Sequence, residues 1–92
     1  MRSDRSRLDV LDLHGFIVDD ALMELESFLF DRYRKHYLKV LVIHGKGTGA
    51  VKDAVRFFLD GCPIVESYND ADSLHGGTGA AEVWFVSRKP SM

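Results

Sequence analysis

Two short stretches of this chain carry residues suited to phosphate chemistry. One is Asp12-Leu13-His14-Gly15 and the other is His44-Gly45-Lys46-Gly47-Thr48-Gly49. In the second, glycines at alternate positions let the backbone turn tightly and approach a ligand closely. A helical pattern begins near Ala50, so the loop delivers unpaired helix N–H groups that favour an anion. Lys46 adds a flexible cation suited to a phosphate contact. Thr48 adds a hydroxyl, which serves either a ligand or the helix as its N-cap. His44 stands at the mouth, where its ring either touches the ligand or bonds a loop carbonyl to hold the turn. The spacing is neither G-x-x-x-x-G-K-[ST] nor G-x-G-x-x-G, which argues against a nucleoside triphosphate or a dinucleotide.

Asp12 and His14 lie two residues apart on a predicted strand, hence on one face, with Cβ atoms roughly 6–7 Å apart. A carboxylate there can orient the imidazole or help hold a cation, and a neutral imidazole is a general base near neutrality. The bland alternative is that Asp12 satisfies nearby N–H groups and His14 merely ends the strand. Three of the four histidines precede a glycine: His14, His44 and His75. If the first two strands are parallel neighbours, His14 and His44 both sit at their carboxyl ends, where open α/β sheets place ligands. The second glycine-rich stretch, with Gly76, Gly77 and Gly79, reads as a structural loop giving tight entry to the last strand. No cysteine–histidine cluster has zinc spacing, and no nucleophile elbow is present.

These residues need elements to position them. Leu8 to Leu13 alternates as a strand, with Leu11 and Leu13 on one face and Val10, Asp12 and His14 on the other. From Val18, apolar residues at 18, 21, 22, 25, 28, 29 and 33 form one stripe of a helix of about five turns. Leu38 to Ile43 is an apolar run expected of a strand covered on both faces. Ala50 to Leu59 forms a second helical stripe, with Gly61 expected at C′ and Pro63 barring continuation. Ile64 to Tyr68 reads as a third strand, Asn69 to Gly79 as a loop and Glu82 to Val86 as a fourth strand. Trp84, Tyr68 and Phe85 are expected in the core, although exposed aromatics would stack bases. Arg32, Arg34, Lys35, His36 and Lys39 form a local basic concentration, read as a solvated helix end. The order is βαβαββ. Two strand–helix–strand crossovers make the first three strands parallel, their right-handedness sets both helices on one face if the strands advance in one direction, and the last strand can run antiparallel.

Ninety-two residues make one domain. Residues 1–7 read as an arm or linker, 8–87 as the domain and 88–92 as a tail. A net charge of −2 argues mildly against strong non-specific nucleic-acid binding. The single cysteine, Cys62, allows no internal disulfide and reads as a small buried hydrophobe. With no signal peptide and no long apolar run, the chain is expected in the cytoplasm, without membrane contact and monomeric as an isolated domain.

Leu11-Asp12-Leu13-His14-Gly15, then His44-Gly45-Lys46-Gly47-Thr48-Gly49, then Gly76-Gly77-Thr78-Gly79 resemble, in order and spacing, the three signature motifs of the Smr (small MutS-related) domain. The likeness is greatest to the version at the C-terminus of the second bacterial MutS paralogue, and stand-alone Smr proteins also exist. The resemblance implies an α/β two-layer sandwich like the C-terminal domain of translation initiation factor three. Its four-stranded mixed sheet has order 1-2-4-3, with strand four antiparallel and two helices on one face. It also implies nucleic-acid binding with DNA nicking or RNA endonuclease activity. The alternative within the family is non-catalytic recognition of branched DNA, RNA or stalled ribosomes. By the same resemblance Asp12, His14 and His44 are the catalytic candidates, and Gly45, Lys46, Gly47, Thr48 and Gly49 the phosphate-binding ones. A divalent cation such as magnesium or manganese is a candidate cofactor. Ile17 and Ala81 stand where relatives usually have threonine, so the first helix is expected to lack a side-chain cap.

Overall fold

The computed structural model describes residues 9–45, 49–71 and 77–87. The elements run β1 (Asp9–Asp12), α1 (Val18–Arg34), β2 (Lys39–Ile43), α2 (Ala50–Asp60), β3 (Val65–Asp70), a single 3₁₀ turn (Gly77–Gly79) and β4 (Ala80–Phe85). The sheet order is β1-β2-β4-β3. β1 and β2 are parallel, while β4 is antiparallel to both β2 and β3. This is the expected two-layer βαβαββ sandwich. Among the described residues no helix is long and apolar enough to cross a membrane.

The period of each element sets which face it buries. Ala21, Leu25, Phe28 and Leu29 of α1 are buried, as the helical stripe requires. They meet Val55 and Leu59 of α2, and Val40, Val42, Ala81, Val83 and Phe85 of the sheet. Leu13 lies just past β1 and is fully buried in the same cluster, with Cys62 and Ile64 closing it behind α2. The opposite sheet face carries a smaller cluster, in which Leu41, Ala71 and Ala80 are buried and Ile43 packs against them. β2 is thus covered on both faces, as its apolar run implies, and β1 on one.

The helix ends are built as the charges suggest. Ile17 provides no side-chain cap to α1, and Asp19 and Asp20 in the first turn face the helix dipole instead. Arg32, near the other end, stacks 4.5 Å over the Phe28 ring. Its guanidinium also bonds Asp9 and Asp31, joining β1 to the helix. Lys35, 3.2 Å away, and Arg32 hold the Asp31 carboxyl below its ordinary range. α1 stops in a Schellman motif: His36 N–H donates to the Tyr33 carbonyl at 3.0 Å, and Tyr37 N–H to Arg32 at 3.1 Å. The residue at its left-handed position is His36, at φ 67°, where glycine is usual.

Several boundaries differ from expectation. β3 continues through Asn69 and Asp70, which pair with Glu82 and Ala81. Sheet pairing overrides the turn preference of these residues, and Asp70 is further held by Arg56 at 2.6 Å. β4 begins at Ala80, so two alanines of low strand propensity occupy the tightly packed middle of the sheet. Gly61 is the C-cap of α2 at φ −101°, so its freedom for positive φ goes unused. Trp84 is not core: it faces the helix-free side of the sheet and is 38% exposed. The expected arm and tail, with Lys46, Gly47, Thr48 and Gly76, lie outside the described residues.

Two stability outcomes follow from these contacts. Replacing His36 with glycine relieves a left-handed side chain, so H36G should raise unfolding stability by about 0.5–1 kcal/mol in a denaturant titration. Tyr68 donates to Asp60 at 2.6 Å, and the carboxylate raises the phenol above its ordinary value. A raised folded value means the contribution is whole below the unfolded value near ~10 and is lost as pH rises through the folded one. Tyr68→Phe should therefore be less stable at neutral pH and lack that part of the alkaline loss, read from melting temperatures across alkaline pH.

Candidate phosphate site at the β1–β2 edge

β1 and β2 run in register, with Leu11 beside Val42 and Asp12 beside Ile43. The next rung continues the pairing, since Leu13 N–H donates to the Ile43 carbonyl at 2.7 Å. Both chains then reach a histidine followed by a glycine. After β1, Phe16 N–H closes a turn on the Leu13 carbonyl at 3.1 Å, with Gly15 at φ 85°. After β2, Gly45 turns at φ 84°. Only glycine adopts such angles without strain, which is why each imidazole is followed by one.

Alternation sends the two imidazoles to different environments. His14 belongs with Val10 and Asp12 on the helix-free face, and its side chain is 76% exposed. His44 belongs with Val40 and Val42, and is only 4% exposed. Its Nδ1 lies 3.0 Å from the Gly45 carbonyl, so the ring braces the turn that follows it. Its Nε2 is buried without a partner among the described residues. Of the two roles open to His44 in the sequence, the geometry displays the bracing one.

Asp12 reaches forward to His14 twice. Its Oδ1 accepts the His14 backbone N–H at 3.0 Å and lies 3.3 Å from His14 Nδ1. The first contact is a local side-chain-to-backbone bond that fixes the strand end. The second orients the ring. An ionised carboxylate only accepts, so this contact requires the proton on Nδ1 and leaves the Nε2 lone pair facing outward. Both sequence roles for Asp12 are therefore present in one oxygen. The pair is largely exposed, so its ionic energy is small and its consequence is orientation.

The glycine stretch after β2 is anchored from a third side. The Gly79 carbonyl accepts the N–H groups of His44 at 3.0 Å and Gly45 at 2.9 Å. The Gly45 amide is thus engaged within the protein and unavailable to an anion. Gly45 instead lies beside His14, whose Cβ would be 3.7 Å from a Cβ added at residue 45. At the far end of the stretch, Gly49 is the N-cap of α2 at φ 91°, with no side-chain cap bond. The N-cap is therefore a glycine, not Thr48, and it offers the helix start no side-chain acceptor of its own. Gly77 and Gly79 form the 3₁₀ turn leading directly into β4. Gly79 was legible in the sequence as an entry to the strand, but nothing there marked its carbonyl as the pin for the His44 turn.

Among the described residues, no three His, Cys, Asp or Glu side chains come together to hold a metal ion. Asp12 is the one carboxylate shown beside His14, and its Oδ1 is already engaged by two nitrogens.

Comparison with known proteins agrees with the motifs and the fold. The Smr domain family model matches residues 11–86. Endonuclease MutS2 of Fusobacterium nucleatum is 40% identical over 73 residues, covering 79% of this chain and 9% of that protein. Endonuclease MutS2 of Geobacillus kaustophilus is 42% identical over the same length, again 9% of that protein. The chain therefore matches a small part of these curated relatives. The crystal structure of the Smr domain of Thermus thermophilus MutS2 superposes with a TM-score of 0.84 at 34% identity, covering 87% of this chain and all of that one. YdaL, a stand-alone small MutS-related protein from Escherichia coli, superposes with a TM-score of 0.81 at 28% identity, covering 85% of this chain and 64% of that one. This chain belongs to the Smr domain family.

Proposed function

We propose that this domain binds nucleic acid by its phosphates at the β1–β2 edge and cleaves a phosphodiester there. The observation that carries the reading is the Asp12–His14 pair, which holds an exposed imidazole with Nε2 outward beside the glycine stretch. Its relatives' name, Endonuclease MutS2, supports the same chemistry. In this reading the Gly49 end of α2 and Lys46 hold the phosphate, since a helix start and a cation both favour an anion. His14 Nε2 takes the proton from the attacking oxygen, a water for DNA or a 2′-hydroxyl for RNA, as that oxygen bonds the phosphorus and the leaving sugar oxygen departs, taking a proton from water. Asp12 keeps Nδ1 protonated and stabilises the imidazolium that forms, as a carboxylate does for any base histidine. His44 acts behind the site by holding the Gly45 turn. A magnesium or manganese ion brought with the substrate would rest on Asp12 and on phosphate oxygens, and none of these roles requires it.

A second reading has its own observation. Of the imidazoles described at this edge, His14 reaches solvent and His44 is buried. A single exposed base beside an anion site also suits recognition of branched DNA, RNA or a ribosome without cleavage.

Cleavage of supercoiled plasmid and structured RNA, with and without EDTA, separates the two. Under the first reading His14→Ala lowers the cleavage rate by about 10²–10⁴-fold with nucleic-acid affinity nearly unchanged. Asp12→Asn lowers it at least about tenfold by losing the tautomer. Undiminished cleavage by the double variant contradicts the assignment. Salt-sensitive binding that Lys46→Ala weakens, with no cleavage under any cation, establishes the second reading instead.

A further inference from the structure

A cleft of about 410 Å³ opens at the other end of the sheet, where α1 stops and β2 starts. Its walls include Tyr33, His36, Tyr37, Glu66, Trp84 and Phe85. Two backbone irregularities place side chains there. One is the left-handed conformation of His36. The other is a bulge in β3: Val65 pairs with Phe85 and Ser67 with Trp84, so Glu66 is the extra residue. Bulges re-aim side chains, and conformations that cost stability collect at functional sites. Here both serve one cleft.

The chemistry of the walls points to a flat, polar-edged aromatic ligand. Trp84 is exposed on the helix-free face, with the Lys39 ammonium 4.7 Å from its ring and 3.7 Å from Glu82. Arg34 and Lys35 end the neighbouring helix beside the Asp31 carboxylate, outside the cleft lining. Glu66 offers only acceptors at the cleft. Aromatic walls, the Lys39 ammonium against Trp84 and the Glu66 carboxylate suit a nucleobase whose edge donates while its phosphate lies outside. Guanine presents two adjacent donors, N1–H and N2–H, and matches a carboxylate best.

We propose that this cleft is a nucleobase pocket with a preference for guanine, taking one base of a single strand whose phosphates engage the His14 edge. The inference rests on the nucleic-acid reading given above. Trp84 pairs with Lys39, five residues before His44 along β2, which separates the two sites by about 16 Å. A stacked strand at about 3.4 Å per nucleotide spans that distance in roughly five nucleotides.

Trp84 is the only tryptophan of the chain, so its emission reports on this cleft directly. Short single-stranded oligonucleotides rich in G or in U are titrated at low salt, following label anisotropy and tryptophan emission together. Quenching in step with binding is expected, stronger for G. Trp84→Leu should weaken binding by about tenfold. Glu66→Gln, an exposed change that spares the fold, should lower the G-over-U preference severalfold. Guanosine monophosphate alone should quench Trp84, while inorganic phosphate should not. Anisotropy showing binding with unaltered Trp84 emission, and with Glu66→Gln keeping the wild-type preference, overturns the pocket and leaves the phosphate site standing. No anisotropy change with any of these single strands overturns this inference, and the nucleic-acid reading falls with it only if plasmid and structured RNA are neither bound nor cut.

Discussion

The end of β2 is held between the Leu13 amide and the Gly79 carbonyl, and the candidate site depends on that clamp. On one side the Ile43 carbonyl accepts the Leu13 amide and so extends the parallel pairing one rung past β1. On the other, the Gly79 carbonyl accepts the amides of both His44 and Gly45. Three segments distant in sequence are thereby fixed at one edge by backbone bonds alone. Backbone bonds of this kind are shielded by the sheet and the core beneath it, so they set position without relying on exposed charge pairs. His14 meets Gly45 because the clamp leaves neither chain room to slip by a residue, which would also move every side chain to the opposite face.

The same parity divides labour between the two histidines. His44 continues the core-facing series of Val40 and Val42, so its ring goes inside and braces the turn. His14 continues the outer series of Val10 and Asp12, so its ring meets solvent with the carboxylate two residues behind it. A sequence pattern repeated after two adjacent parallel strands thus yields one buried and one exposed imidazole. The sign of the alternation decides which is which. At the opposite pole, the chain departs from regular geometry at His36 and Glu66, and the side chains there line an aromatic cleft. Regular pairing builds one end of the molecule and two local irregularities shape the other.

Most of this architecture was readable from periodicity. The α1 stripe named Ala21, Leu25, Phe28 and Leu29, and all four are buried. The apolar run from Leu38 to Ile43 is a central strand, because two neighbours and a second small cluster cover it. The strand order came from the resemblance of three motifs; crossover handedness alone left the place of β4 open. What was not readable came from pairing and from carbonyls. Asn69 and Asp70 look like turn formers and become strand because β4 runs beside them. Two alanines of low strand propensity start β4 because they pair with Ile43 and Val42 of β2. Trp84 followed an alternation that the sequence could not assign to a face. The Gly79 carbonyl carries no signature in residue type, and the consumption of the Gly45 amide could not be foreseen without it.

The proposed catalysis depends on Asp12 holding His14 with its Nδ1 protonated and its Nε2 outward. Nitrogen-15 chemical shifts of the His14 ring, measured with the imidazole neutral, test this directly. An Nδ1–H tautomer is expected in the wild-type protein, with its loss in Asp12→Asn. A dominant Nε2–H tautomer in the wild type, unchanged by that substitution, would contradict it.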